Sequence, residues 1–249
     1  MFKKTFIIIP TYNEKENIKN LIQEIFNLEL PEINILIIDD NSPDRTGEIV
    51  NSLTRKYKNL KLIKRNKKLG LGSAYKLGFK YALGNKADLI MTMDADFSHN
   101  PKDIPKFIKE SNEFDVVVGS RRIPGGKIIG WNIRRKISSW LGANVSRIIL
   151  GIKVKDPTSG FRCYKKSILE KIDFKKIRSQ GYAFQEEILL LCQKNKAKIK
   201  EIPITFENRK KGKSKFGFKE IFEFIKFLIR TKCQRRGWLF IYQLFYLLA

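Results

Sequence analysis

The first 120 residues alternate short apolar runs with amphipathic stretches. The apolar runs have the length of buried strands and cover residues 5–9, 33–38, 60–64, 88–93 and 115–118. Between the first two runs, Ile18, Leu21, Ile22 and Ile25 recur at the spacing of one buried helix face, and further helices are predicted at 44–56 and 73–83. This alternation is typical of a parallel sheet covered by helices. The sequence therefore predicts an α/β fold.

The second half of the chain is less regular. It predicts helices at 134–150 and 185–194, strands at 160–164 and 199–206, and a last helix that begins near Phe216. The apolar stripe of that last helix suits a core contact or a membrane interface equally well. We expect one domain over residues 1–232 and a basic, aromatic tail over residues 233–249. The apolar part of the tail, residues 238–249, is too short to span a membrane, and it lies at an interface, docks on a membrane partner or packs on the core.

The formal net charge of +25 changes this picture, because it is far larger than solubility requires. It indicates polyanionic partners or, alternatively, a lysine-rich source proteome. The three cysteines are far apart and form no CxxC pair, which favours a reducing compartment. The amino terminus runs directly into a predicted strand without a signal-peptide pattern, so we expect a cytoplasmic domain.

Polar segments follow four of the predicted strands, at the point where each strand ends. They are residues 10–14, 39–44, 94–96 and 119–122. The carboxyl ends of parallel strands meet at one edge of an open sheet, where ligands bind. Each segment alone could be a turn or a helix cap. Four of them on one edge predict a binding site.

Asp94 and Asp96 are separated by one residue directly after a predicted strand. Two carboxylates so close repel each other, and a hard cation such as Mg²⁺ or Mn²⁺ would relieve this, with diphosphate oxygens and water completing its coordination. The alternative is a polar turn in which Asp96 caps the helix that begins near Pro101. His99, the single histidine, lies on the same loop, either at the site or exposed to solvent. We expect chemistry that relies on charge and positioning rather than on a histidine base.

Several other protein classes lack their sequence patterns in this chain. The pair Gly70 and Gly72 is followed by Tyr75 where a dinucleotide-binding fingerprint has its third glycine, and there is no Walker sequence. The basic residues form no recognisable helix-turn-helix, RNA-recognition or zinc module. A non-catalytic nucleic-acid-binding protein is therefore a remote alternative that the charge alone would support, and we expect no nucleic acid as partner.

Two further segments, residues 156–161 (DPTSGF) and 212–215 (GKSK), complete a set of motifs. Together with the four polar segments they resemble family 2 glycosyltransferases of the GT-A fold, and within that family the dolichyl-phosphate mannose synthases. The resemblance runs in order from about residue 5 to about residue 230. It implies a GT-A catalytic domain over residues 1–232, GDP-mannose as donor, a divalent metal, inversion at the anomeric carbon and dolichyl phosphate as acceptor.

The resemblance also assigns roles by position. The residues expected to hold the nucleoside are Pro10, Tyr12, Glu14 and Asp39, with Asp40 as a neighbour. The residues expected at the metal and diphosphate are Asp94, Ala95 and Asp96, with Ser98 where some relatives have an amide ligand. The cations expected around the phosphates and the sugar are Arg121, Arg135, Arg209 and Lys215. Glu187 matches an acidic position near the acceptor, and the catalytic set is then Asp96, Arg121, Arg135 and Glu187.

Elementary chemistry favours the same cations. The attacking phosphate oxygen is ionised at neutral pH, so the main obstacle is repulsion between two anionic reactants, and arginine pairs well with phosphate. Without a spanning segment, we expect the chain to lie on the cytoplasmic face of a membrane through its basic, aromatic carboxyl end or through a separate anchor protein. Transfer of glucose or another sugar from a UDP-sugar to the same lipid is the nearest alternative.

Overall fold

The computed structural model describes residues 2–208 and 224–231. Its strands are β1 (Thr5–Thr11), β2 (Ile33–Asp39), β3 (Leu60–Lys64), β4 (Leu89–Thr92), β5 (Val116–Ser120), β6 (Lys127–Ile129), β7 (Arg162–Lys165), β8 (Ile199–Pro203) and β9 (Thr205–Glu207). Seven of them form one sheet in the order β3-β2-β1-β4-β7-β5-β8, and β6 pairs with β9 in a separate sheet. Every pairing is parallel except those of β7 with β4 and β5. The predicted α/β fold with a mostly parallel sheet is confirmed.

Helices cover both faces of the large sheet. They are α1 (Ile18–Phe26), α2 (Thr46–Thr54), α3 (Leu71–Gly84), α4 (Ile104–Glu110), α5 (Ile133–Leu150), α6 (Lys166–Leu169), α7 (Gly181–Lys194) and a helical segment at 224–231, here α8. Alternate strand residues face opposite layers: Ile7 and Ile9 pack with the cluster that includes α1, whereas Ile8 packs with the cluster that includes α3 and α7. Among the described residues, no helix has the length and apolar character needed to cross a membrane.

Three features of the second half differ from the sequence prediction. The strand predicted at 160–164 begins two residues later and runs antiparallel. The strand predicted at 199–206 is two strands, because the chain leaves β5 at Pro203 and pairs next with β6, which the sequence did not reveal. Residues 209–223 and 232–249 are outside the described part, so the predicted start of the last helix and the tail cannot be compared.

The strand order places the predicted polar segments at one edge of the sheet. β1 lies between β2 and β4, and the connections from these two neighbours leave in opposite directions across the sheet. Thr11 at the end of β1 pairs with Asp39, and the amide of Met93 donates to the carbonyl of Ile8. Open α/β sheets bind ligands at such a switch point, beyond the carboxyl ends of the strands. This strand order therefore indicates a ligand site between the loops that carry Asp39 and Asp94.

The contact of α3 with this part of the sheet depends on Gly78. A Cβ atom at Gly78 would lie 2.6 Å from Cγ2 of the buried Ile8, so Gly78→Ala should lower the free energy of unfolding by about 1–3 kcal/mol through overpacking. Gly84→Ala, in the same helix, is the control, because a Cβ atom at Gly84 would have no neighbouring atom within 4 Å. The control should be stabilising by about 0.5–1 kcal/mol. Urea unfolding of both variants tests this, and equal effects would contradict it.

A buried carboxyl group links α5 to α7. Glu186 is fully buried, and its Oε1 accepts a hydrogen bond from the hydroxyl of Ser146 at 2.7 Å. Burial raises the pKa of Glu186 from 4.5 to about 8. The stability that comes from protonated Glu186 is therefore complete below about pH 4.5 and is lost as the pH rises through about 8.

Glu186→Gln should remove this pH dependence, because the amide keeps the shape and the acceptor oxygen but cannot ionise. We expect the variant to match the parent at about pH 5 and to exceed its free energy of unfolding by a few kcal/mol at about pH 9, since one pKa unit corresponds to about 1.4 kcal/mol. Denaturant unfolding at the two pH values measures the difference. A parent and a variant that lose stability in parallel would show that Glu186 is not responsible.

Candidate active site

The loop after β4 carries Asp94, the buried Ala95 and Asp96. Oδ1 of Asp96 accepts a hydrogen bond from the amide of Ser98 at 3.1 Å. The 3₁₀ turn that follows is capped by Asn100, whose side chain accepts from the amide of Lys102. The alternative of a polar turn is therefore right in part, because Asp96 forms a turn with Ser98, but it is wrong about the cap, which is Asn100.

His99 lies beneath this loop. It is 1% exposed and stacks on Phe161 with ring centroids 5.0 Å apart, so the alternative of a solvent-exposed histidine is wrong. Its Nδ1 accepts a hydrogen bond from the amide of Asp94, and its Nε2 lies 4.0 Å from Oδ2 of Asp94. Burial lowers the pKa of His99 to about 4. A neutral imidazole that supports the Asp94 backbone follows from this environment.

The donor atoms of the loop suit a hard divalent cation. The Asp94 side chain is 36% exposed, and a Cβ atom at Gly160 would lie 3.4 Å from its Oδ1, so the glycine leaves space beside the carboxylate. Within the described ranges no group of three or more His, Cys, Asp or Glu side chains could hold a metal. A cation here would therefore take part of its coordination from a bound substrate and water, as Mg²⁺ commonly does. The predicted role of Ser98 as a ligand stays a prediction.

Arg121, just after β5, is held by Asp156. The backbone amide, Nε and Nη2 of Arg121 donate to the Asp156 carboxylate at 2.9, 2.7 and 2.7 Å. Burial alone would raise the pKa of Asp156, but the charge and hydrogen bonds of Arg121 outweigh it and lower the pKa to about 2. A paired fork of this kind fixes the plane of the guanidinium group. Asp156 was part of a recognised motif, but its role could not be read from the sequence.

Two aromatic rings bring Arg121 and Arg135 together. The guanidinium carbon of Arg121 lies 5.1 Å from the centroid of Phe206 and that of Arg135 lies 4.1 Å from the centroid of Trp131. The two rings touch edge to face at 5.4 Å. His99 contacts the same Phe206 at 5.6 Å, so the loop that carries Asp94 and Asp96 shares this ring with Arg121. No sequence signal singled out Trp131 or Phe206.

The predicted nucleoside residues line the neighbouring strand ends. Asp39 is fully buried and accepts hydrogen bonds from the hydroxyls of Thr11 and Ser42 at 2.9 and 2.5 Å. It therefore shapes the loop after β2. Tyr12, two residues after Pro10, has the ammonium group of Lys68 4.0 Å from its ring centroid. Their contacts with a nucleoside stay predictions.

Two other predicted nucleoside residues have partners within the protein. Asp40 forms an ion pair with Arg65 and accepts from the amide of Gly70 at 2.9 Å, which ties β2 to the start of α3. Glu14 accepts from the side chain of Asn17 at 3.0 Å. Both carboxylates lie at the carboxyl ends of the strands, as predicted, and both have local structural roles. Their contact with a ligand stays a prediction.

Glu187 lies away from the aspartate and arginine residues described above, in a contact between α7 and α8. Its Oε2 accepts from the amide of Ser179 at 2.9 Å, and its Oε1 pairs with Arg230 at 3.0 Å. These contacts are structural, and its predicted catalytic role stays a prediction. Arg209 and Lys215 are outside the described residues.

Solved structures show the class of fold. The structure of mannosyl-3-phosphoglycerate synthase from Rubrobacter xylanophilus matches with a TM-score of 0.67 at 17% identity, covering 94% of this chain and 74% of that chain. Glucosyl-3-phosphoglycerate synthase from Mycobacterium tuberculosis, crystallised with Mn²⁺, UDP and glucosyl-3-phosphoglycerate, matches with a TM-score of 0.64 at 16% identity, covering 94% and 80%. The fold is that of GT-A glycosyltransferases, as predicted.

Sequence comparison gives the family. The profile described as Glycosyl transferase family 2 matches residues 6–173, and the chain belongs to this family. An undecaprenyl-phosphate mannosyltransferase of Micrococcus luteus is 38% identical, over 85% of this chain and 87% of the relative. A polyprenol monophosphomannose synthase of Mycolicibacterium smegmatis is 36% identical, over 89% and 84%. A dolichol-phosphate mannosyltransferase of Pyrococcus furiosus is 41% identical, over 91% of this chain and 63% of the relative.

Proposed function

We propose that this chain transfers mannose from GDP-mannose to dolichyl phosphate or a related polyprenyl phosphate. The names of its relatives support the sugar and the class of acceptor. The structural observation that carries the proposal is that His99, on the loop of Asp94 and Asp96, and Arg121 both contact the ring of Phe206. The loop proposed for a cation and an arginine proposed for phosphate therefore meet at one aromatic ring.

In the proposed reaction, an ionised oxygen of the acceptor phosphate attacks the anomeric carbon of mannose. The bond from that carbon to the diphosphate oxygen breaks, GDP leaves with its electron pair, and the configuration inverts. No proton has to be removed from the nucleophile, so no general base is needed. Arg121 and Arg135 offset the repulsion between the two anionic reactants, and the pairing with Asp156 keeps the Arg121 fork in place before substrate arrives.

Asp94 and Asp96 are the residues we propose for holding Mg²⁺ or Mn²⁺ together with the donor diphosphate. A divalent cation bound there would supply charge neutralisation for the departing GDP. The crystallised Mn²⁺ complex of the glucosyl-3-phosphoglycerate synthase supports the choice of a divalent cation. His99, buried and neutral, holds the backbone of Asp94 and so sets the position of the first carboxylate.

We further propose that the enzyme acts at the cytoplasmic surface of a membrane. The support comes from α5, which exposes a set of large apolar side chains: Ile133, Ile137, Trp140, Leu141 and Ile148. Cations accompany them at Arg134 and Lys136. An apolar helix face edged by cations is suited to lie in the headgroup region of an anionic bilayer.

Purified protein incubated with dolichyl phosphate and one donor at a time tests the proposal. GDP-mannose, UDP-glucose and UDP-N-acetylglucosamine are compared, each with Mn²⁺ or with a chelator. Mass spectrometry of the lipid should find mannosyl phosphoryl dolichol with GDP-mannose and metal only. If the lipid product forms with UDP-glucose and not with GDP-mannose, the proposed donor is wrong. Full activity in the presence of chelator would contradict the proposed role of the metal.

A further inference from the structure

A cleft of about 450 Å³ lies along one side of α5, facing the loop after β5. We call it the α5 cleft. Its lining contains five cations, namely Arg121, Arg122, Lys136, Arg147 and Lys155. The same lining contains three large apolar side chains, Ile128, Ile137 and Trp140. No carboxylate belongs to the described lining, so the cleft combines concentrated positive charge with an apolar surface.

The positive charge of the cleft exceeds the negative charge beside it. The fork of Arg121 already binds both oxygens of Asp156, and the oxygens of Glu201 accept from the backbone amides of Lys155 and Asp156. Arg122 reaches only to 3.7 Å from Asp156 and donates instead to the carbonyl and hydroxyl of Ser139. Burial lowers the pKa of Arg122, Asp156 offsets part of this decrease, and the charges of Arg121 and Arg147 add to it. Such a cluster of like charges is stabilised by a bound anion.

The cleft lies beside the candidate active site rather than within it. On α5, the buried stripe contains Ala143 and Ser146. Successive helix positions are about 100° apart, which places Arg135 and Lys136 on opposite sides of that stripe. Arg135 stacks on Trp131 in the active site, whereas Lys136 lines the cleft. Arg121 is the wall that the two sites share.

We propose that the α5 cleft binds the phosphate group of an anionic membrane lipid that is not the sugar acceptor. The apolar side chains of the lining favour a lipid over a free anion, because Ile137 and Trp140 belong to both the cleft and the exposed apolar face of α5. A lipid whose phosphate lies in the cleft would therefore extend its acyl chains along the face of α5 that meets the bilayer. Tryptophan, such as Trp140 in the cleft, is common in the headgroup region of membranes. The proposal rests on the proposed membrane location but not on sugar transfer.

Vesicle binding of the full chain tests the proposal without using its activity. Co-sedimentation compares phosphatidylcholine vesicles with vesicles that also contain phosphatidylglycerol and with vesicles that also contain polyprenyl phosphate. Arg147→Gln/Lys155→Gln should weaken binding to the phosphatidylglycerol vesicles by about tenfold or more, since each cation near an anionic surface contributes about fivefold in affinity. Lys155→Gln alone, at an exposed position, keeps the test valid if the double variant folds poorly, and should weaken binding by about fivefold.

The matched control is Lys58→Gln/Lys61→Gln, which removes two exposed cations at β3, the opposite edge of the sheet. It should change binding by less than about twofold, because those charges lie far from α5. Equal losses in control and cleft variants would overturn the proposal in favour of diffuse attraction. Two other results would also overturn it: a loss seen only on vesicles carrying polyprenyl phosphate, or complete displacement of the protein from phosphatidylglycerol vesicles by millimolar inorganic phosphate at constant ionic strength.

Discussion

Asp96→Asn should lower kcat/KM for mannosyl transfer by about 100- to 1000-fold, the range typical for loss of one group that stabilises charge in the transition state. The amide keeps the size of the side chain and an oxygen that can accept from the amide of Ser98. It removes the negative charge that we propose for holding a divalent cation beside the diphosphate. Initial rates with GDP-mannose and dolichyl phosphate, across a Mn²⁺ titration, measure the effect.

Glu113→Gln is the control for Asp96→Asn. It removes one negative charge at an exposed position before β5, at the opposite end of the strand from Arg121. We expect its rate to equal that of the parent within about twofold, as for most surface substitutions away from a site. An Asp96→Asn protein that keeps its melting temperature and its full rate at every Mn²⁺ concentration would remove Asp96 from the proposed mechanism.

Arg121→Lys should lower kcat by about 100-fold although it keeps the charge of the site, because lysine cannot reproduce the paired hydrogen bonds with Asp156 that hold the cation in position. The ammonium group can make one of the two side-chain contacts that Arg121 makes with Asp156. We expect a smaller change in KM for GDP-mannose, since the loss falls on the transition state. Steady-state kinetics separate the two quantities.

Arg55→Lys, at an exposed position after α2, is the matched control and should have parental kinetics. Asp156→Asn provides the second comparison, because it leaves Arg121 present but weakens its pairing. If the position of the Arg121 guanidinium group matters more than its charge, Asp156→Asn should also lower kcat. A fully active Arg121→Lys enzyme would mean that a point charge suffices and that the fork has no catalytic use.

Local patterns predicted the first half of the fold well. The first five strands and the three helices between the first four strands were expected within a few residues of where they lie, because each depends on apolar spacing along its own segment. The second half was harder. Arg162–Lys165 includes two charged residues, and nothing local indicates that it runs antiparallel between β4 and β5. The short strand β6 exists because β9 pairs with it.

Some residues of the candidate site could be predicted from the sequence, and others could not. Asp94, Asp96 and Arg121 could be predicted because each follows a buried strand and belongs to a recognisable motif. The fork between Arg121 and Asp156 joins residues 35 positions apart, and the ring of Phe206 comes from a strand still later in the chain. Glu187 gave no sequence sign of its pairing with Arg230, which is 43 positions away.

The sequence by itself determined the strands and helices of the first half of the chain, and that acidic and basic side chains follow the strands of one α/β sheet. These properties depend on neighbours within one or two turns of the chain. Only the tertiary structure decided which arginine is fixed by a carboxylate and which carboxylates have protein partners. It also decided that α5 has an exposed apolar face and borders a cationic cleft. These contacts join side chains that are remote in sequence. Their burial and pairing depend on how the folded chain brings those side chains together.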